Sequence, residues 1–235
     1  KDILAIQPKT TKSTAQYVDS LLENNNKHTI YMLATIDLTK LEDKFLNNTD
    51  FALAKLSIKE DTIDIQGAGI FKTGQLVGWL QPHEVAAVKW ISNKMDKGVF
   101  DILSLDDQVE ITTEIVNSSS KISPAFNGNN FTFNVNIKLE FDIAEVSKLD
   151  YIVLDETSIA KVERAMNSEI KELCEKTFYE IRDNYNADVY NFSKKISNYY
   201  PLFWEENKKI WNDYFERTDI LVEVETKMRR VGLVK

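Results

Sequence analysis

Few side chains in this 235-residue chain are equipped for chemistry, and their spacing limits what each can do. His28 and His83 are its only histidines, which excludes a multi-histidine metal site and leaves any Ser/His/Asp triad to use one of those two. His83 stands beside Glu84, but adjacent residues on a helix point in different directions, so the pair reads as a helix start and not as an acid/base couple. His28 follows three asparagines and reads as a turn residue. Cys174 is the single cysteine, so neither an internal disulfide nor a cysteine-based zinc cluster can form. Gly67-Ala68-Gly69 is the one GxG sequence. A dinucleotide fingerprint would need a third glycine where this chain has Lys72, and a helix where it runs into a strand. A β-bulge or tight backbone packing is the expected role. Neither a P-loop nor a GxSxG elbow occurs.

The carboxylates offer no local constellation either. Asp106-Asp107, Asp155-Glu156 and Glu205-Glu206 are sequence neighbours, and the last two pairs fall in expected first helical turns, where negative charge is favoured. Asp61 and Asp64 lack the ligand density and central glycine of an EF-hand loop. A hydrolytic site would therefore need at least two acids brought together by the fold, with perturbed pKa values. The aromatic density from Tyr185 to Phe215 is the one feature suited to lining a small-molecule pocket. Its spacing at i, i+3 and i+4 is that of a core stripe, which is the reading adopted. Lys227-Met228-Arg229-Arg230 is short enough to be a solvated strand end. The residues thus single out no catalytic, cofactor-binding or metal-binding side chain.

Composition agrees. With 43% apolar and 28% charged residues the chain is neither disordered nor disulfide-stapled, and its net charge of -8 argues against nucleic-acid binding, which is driven by phosphate neutralisation. No apolar stretch approaches the roughly 20 residues that cross a bilayer.

The elements that must position these residues are legible in part. Ser13 and Gln16 have capping-box spacing, opening a helix with Tyr17, Val18, Leu21 and Leu22 inward. Thr29–Leu38, rich in β-branched and aromatic residues, reads as a strand, and 40–50 as a loop or short helix. Strands at 51–58, 62–71 and 76–80 form a meander with a tight turn at Lys72-Thr73-Gly74-Gln75. Pro82 opens a helix carrying Val85, Val88, Ile91 and Met95. Phe131, Phe133, Val135, Ile137, Leu139, Phe141 and Ile143 then alternate with polar residues, the clearest period-two signal in the chain. Val109–Ile115 and Ile220–Val224 repeat it more weakly.

Between them lie three expected helices: one from near Asp155 through Ile181; a second carrying Tyr185, Val189, Phe192, Ile196 and Tyr199; and a third from Pro201 with Trp204, Lys208, Trp211 and Phe215 on one face. The pattern is α+β: antiparallel sheets with helices packed on one face, in two consecutive domains. The boundary falls at Asp96-Lys97-Gly98, giving a partial N-terminal or middle α+β domain at 1–96 and a C-terminal α+β domain at 97–235.

Four segments in order resemble the Ger(x)C family, the lipoprotein C subunits of spore nutrient-germinant receptors. Gly67–Leu80 resembles its G-x-A-V-F-K-x-D-K-L-V-G-x-L hairpin, and Ser118–Phe126 its S-K-x-K-I-x-P entry into the C-terminal domain. Asp188–Ile196 is similar to its D-V-x-G-F-G-x-x-I segment. Pro201–Trp204, Trp211 and Val222–Gly232 are similar to its P-x-x-W, its second Trp and its final strand. Asn191 and Ser193 stand where the family has glycine, which predicts a more continuous second helix, and Gly74 replaces an acidic turn residue.

The resemblance implies a non-enzymatic accessory subunit. It would be lipid-anchored at the outer face of the spore inner membrane, where it would act with integral membrane A and B subunits in germination. The chain begins at Lys1 and reads as a fragment, lacking the family's lipid-bearing cysteine; Cys174, mid-helix, is not that residue. The alternative is a germinant-binding domain with an aromatic helical pocket.

Overall fold

A computed structural model describes residues 13, 16–18, 20, 30–33, 36–59, 62–103, 109–147 and 155–231. Its elements are α1 (Leu38–Leu46), β1 (Phe51–Lys59), β2 (Thr62–Lys72), β3 (Gln75–Leu80), α2 (Pro82–Ile91), β4 (Gly98–Leu103), β5 (Glu110–Phe126), β6 (Phe131–Val146), α3 (Glu156–Tyr185), α4 (Phe192–Tyr199), α5 (Pro201–Asn207), α6 (Trp211–Phe215) and β7 (Asp219–Val231), with a 3-10 turn at Lys208–Ile210. Strands β1-β2-β3 form one antiparallel sheet and β4-β5-β6-β7 a second.

The α+β architecture is as expected, with one addition. β7 runs parallel to β6, with Phe133 opposite Ile220 and Val135 opposite Val222, so the second sheet is mixed. The helical run from α3 to α6 supplies the long crossover that parallel pairing requires. The alternation in β6 is realised in full: Phe131, Phe133, Val135, Ile137, Leu139, Phe141 and Ile143 are all buried. α3 covers that face with Val162, Met166, Ile170, Cys174, Phe178 and Ile181 at steps of three and four. Burying each large side chain contributes about 1.5–3 kcal/mol, so this layer is a main source of stability.

Local signals account for the element ends. Asp155 caps α3 by accepting the N–H groups of Thr157 and Ser158. Pro82 is at the first turn of α2, where Gln81 and Glu84 form a capping box. Thr73 (φ 47) and Gly74 (φ 80) make the two-residue turn between β2 and β3. The Ser13–Gln16 capping exchange is present, and residues 16–18 are helical. α2 touches β2, β3, β5, β6 and α3, which is why every residue from Val85 to Ile91 is buried.

Four expectations are corrected. The expected strand at Thr29–Leu38 does not form: among its described residues 30–33 are turn, bend or irregular and Leu38 begins α1, although Ile30, Met32 and Leu33 are buried. β-branched content there reflects core burial and not sheet pairing. The second helix begins at Phe192 and not near Tyr185, because Asn186 (φ 45) and Asn191 (φ 60) are left-handed. Asn191 therefore keeps the break that glycine would give, since asparagine tolerates this region better than most side chains. The third helix is divided into α5, the 3-10 turn and α6, which leaves Lys208 exposed while Trp211 and Phe215 are buried. Glu205-Glu206 consequently lie beyond the first turn of α5, where Glu205 pairs with Lys208 at 2.7 Å.

Candidate functional site

The two left-handed asparagines fold the α3–α4 connection tightly enough to turn Asp188 inward. Its Oδ1 accepts the Phe192 N–H at 2.8 Å, and its Oδ2 accepts the Ser193 N–H at 2.7 Å and the Trp211 indole N–H at 3.3 Å. Asp188 thus supplies the acceptors that the first turn of α4 needs. The Asp188 N–H is taken in turn by Asp50 Oδ2 at 3.0 Å, while Asp50 Oδ1 accepts the Thr73 N–H at 3.2 Å. Three segments far apart in sequence meet here: the α1–β1 junction, the β2–β3 turn and the α3–α4 loop.

Burial pushes both carboxyls above the ordinary aspartate range, opposed by the N–H donors each accepts. Burial likewise pulls Lys44 down, opposed by Asp188, Asp43 and Asp50. Above this floor opens a cleft of about 960 Å3 with Lys40, Lys44, Lys194 and Lys209 along it and Trp204 and Trp211 in its wall. The two indoles meet edge to face at 5.8 Å. The cleft is polar and of a size for a small hydrophilic molecule.

Asp50 and Asp188 are two converging acids with raised pKa values, the arrangement a hydrolytic site would require. Yet all four of their oxygens accept fixed main-chain or indole donors, and both residues are buried. Their geometry is that of a structural junction. Nothing in sequence couples residues 50 and 188, and the spacing placed Asp188 inside the second expected helix, not at a cap.

The other candidates are dispersed. His83 is exposed, and Glu84 serves the α2 cap, its carboxyl raised chiefly by burial and further by the neighbouring Glu180. Gln66 and Gly67 face the single residue Lys55, so the GxG segment is the expected bulge; Gly67 has φ 79, and a Cβ there would fall 2.5 Å from the Leu80 carbonyl. Cys174 is buried and its thiol is pushed far up, an unreactive state. His28, Asp61 and Asp106-Asp107 lie outside the described residues. Among the described residues no three His, Cys, Asp or Glu side chains are placed to hold a metal ion, and no helix is long and apolar enough to cross a membrane.

The aromatic run packs against itself. Phe131 is ringed by Phe126, Tyr200, Phe203, Trp211 and Tyr214 at 4.5–6.3 Å, and Phe133 stacks on Phe192 at 3.8 Å. These rings are core, as their spacing indicated.

An antiparallel three-stranded sheet, a mixed four-stranded sheet and a 30-residue helix packed on the second define an α+β protein. The family described as spore germination B3/GerAC like, C-terminal, matches residues 66–232, and the chain belongs to it; this is the Ger(x)C family of the sequence resemblance. Among Bacillus subtilis (strain 168) proteins it is 26% identical over 213 residues to spore germination protein YndF, covering 89% of this chain and 52% of that one. It is 25% identical to spore germination protein KC, covering 73% and 42%. The fold matches the crystal structure of the GerBC protein with a TM-score of 0.75 at 20% identity, over 82% of this chain and 60% of that one. The chain thus spans about half the length of the curated relatives it matches.

Proposed function

We propose that the parent protein is a non-enzymatic accessory subunit of a spore nutrient-germinant receptor. It is lipid-anchored at the outer face of the spore inner membrane and acts by contact with the integral membrane A and B subunits. Family membership supports the germination setting. The observation that carries the contact role is how the segment from α4 to α6 divides its apolar residues. Phe192, Ile196, Trp211 and Phe215 are buried, whereas Tyr199, Ile210 and above all Leu202, 82% accessible, face outward. Exposed large apolar residues on a rigid support are what a docking surface presents. Deleting the parent gene in a strain without paralogues is expected to abolish germination triggered by particular nutrients while sporulation proceeds. Leu202→Asp with Ile210→Asp is expected to reproduce the defect without lowering the melting temperature. Normal germination in both strains would refute the proposal.

A second reading, direct binding of a germinant, draws its support from the polar cleft, with Trp204 and Trp211 beside lysines and asparagines, and not from the aromatic core.

A further inference from the structure

The cleft above the Asp50 and Asp188 floor reverses the charge balance of the chain. Acids outnumber bases 37 to 29 overall, yet Lys40, Lys44, Lys194, Lys208 and Lys209 line the cleft against Asp43, Asp50 and Asp188. The three acids have little left to offer a cation. All four oxygens of Asp50 and Asp188 are spent on main-chain and indole donors, and Asp43 Oδ1 accepts the Asn47 amide at 2.8 Å. Lys40 pairs with Asp37 at 2.8 Å and Lys208 with Glu205 at 2.7 Å, both acids outside the lining.

Lys44, Lys194 and Lys209 remain, from α1, α4 and the 3-10 turn, and form no ion pair among the described residues. Lys44 decides the matter. It is half-buried with the Phe51 ring 5.9 Å away, and burial pulls its ammonium down more than Asp188, Asp43 and Asp50 hold it up. An ammonium withdrawn from water without a paired counter-ion is costly, and an anion in the cleft relieves that cost. The start of α4 cannot hold the anion instead, because Asp188 already takes the Phe192 and Ser193 N–H groups. Recognition therefore falls to the three ammonium groups, with the amides of Asn48, Asn191 and Asn212 also in the lining. Lysines act as point charges and suit phosphate and carboxylate alike.

We infer that the cleft binds a small, multiply charged oxyanion of phosphate or carboxylate type, held between Lys44 of α1 and Lys194 and Lys209 of the segment from α4 to α6. The inference rests on the second reading in taking the cleft for a ligand site, and it names the class of ligand. The test is calorimetric titration of the full-length subunit with inorganic pyrophosphate and with citrate, beside glucose and glycine. Both anions are expected to bind, less tightly as sodium chloride is added, while glucose and glycine do not. Binding should weaken at least about tenfold in Lys44→Gln, and equally in Lys194→Gln with Lys209→Gln, two exposed positions whose exchange leaves the fold intact. It should tighten in Asp43→Asn and stay unchanged in Lys171→Gln on α3. Anion binding that survives the Lys194 and Lys209 exchange would lie elsewhere and would overturn the inference. Glucose or glycine bound with neither anion would overturn the anion and keep the ligand site, whereas no ligand bound would overturn both. Vesicles of phosphatidylglycerol and of phosphatidylcholine separate the sources of the charge. A lysine-dependent preference for phosphatidylglycerol with no response to the free anions would assign the lysines to a lipid headgroup and would overturn the free ligand.

Discussion

Asp50 accepts the backbone N–H of Asp188 across 138 positions of sequence, and Asp188 uses its own carboxylate to hold the start of α4 and the Trp211 indole. The two residues act in series. Asp188→Ala leaves the Phe192, Ser193 and Trp211 donors without their acceptor and is expected to cost about 2–4 kcal/mol in urea unfolding. Asp50→Ala is expected to cost about 1–3 kcal/mol, through the Asp188 and Thr73 N–H groups. Because the pair shares one network, the double variant should fall short of the summed costs by about 0.5 kcal/mol or more. Strict additivity would show that the two carboxylates are independent.

A pH dependence follows from a second carboxyl pair. Burial, with the neighbouring Glu180 adding to it, raises the Glu84 carboxyl, opposed by the Gln81 N–H and His83. A group whose folded pKa is raised holds its proton more tightly in the folded state. Its stabilising contribution is therefore complete below the unfolded value, about 4.3, and is lost as pH rises through the folded value. Asp50 and Asp188 act in the same direction. Lys89, pulled down by burial to about 8, titrates above this window. Glu84→Gln is expected to raise the melting temperature at pH 7 and to leave it nearly unchanged at pH 4. An equal effect at both would contradict the assignment.

Gly78 is demanded by a close approach. A Cβ there would fall 2.3 Å from the Tyr185 ring at the end of α3. Gly78→Ala is expected to destabilise by about 1–3 kcal/mol, and Tyr185→Ala in the same chain to recover part of the loss. If Tyr185→Ala gives no recovery, the clash is not the cause.

The polar cleft can be interrogated through its own indoles. If the contact role is correct, millimolar amino acids and sugars leave the fluorescence of Trp204 and Trp211 unchanged. A saturable change that is lost in Trp204→Ala would favour direct germinant binding.

Where spacing along the chain sets the structure, residues alone were enough. Phe131–Ile143 could only be a strand with one buried face, Asp155 and Pro82 could only open helices, and Gly74 marked its turn, because period, capping and φ are local properties. The family resemblance was legible for the same reason, its motifs being short and ordered. The burial of Ile30, Met32 and Leu33 without a strand, and the left-handed Asn191 that keeps α4 apart from α3, were decided by packing that local propensity does not see. So too were the parallel docking of β7 and the junction of Asp50 with Asp188. Each depends on which distant segments the core brings side by side, and a hydrogen bond across 138 positions leaves no mark on the spacing of either partner's neighbours.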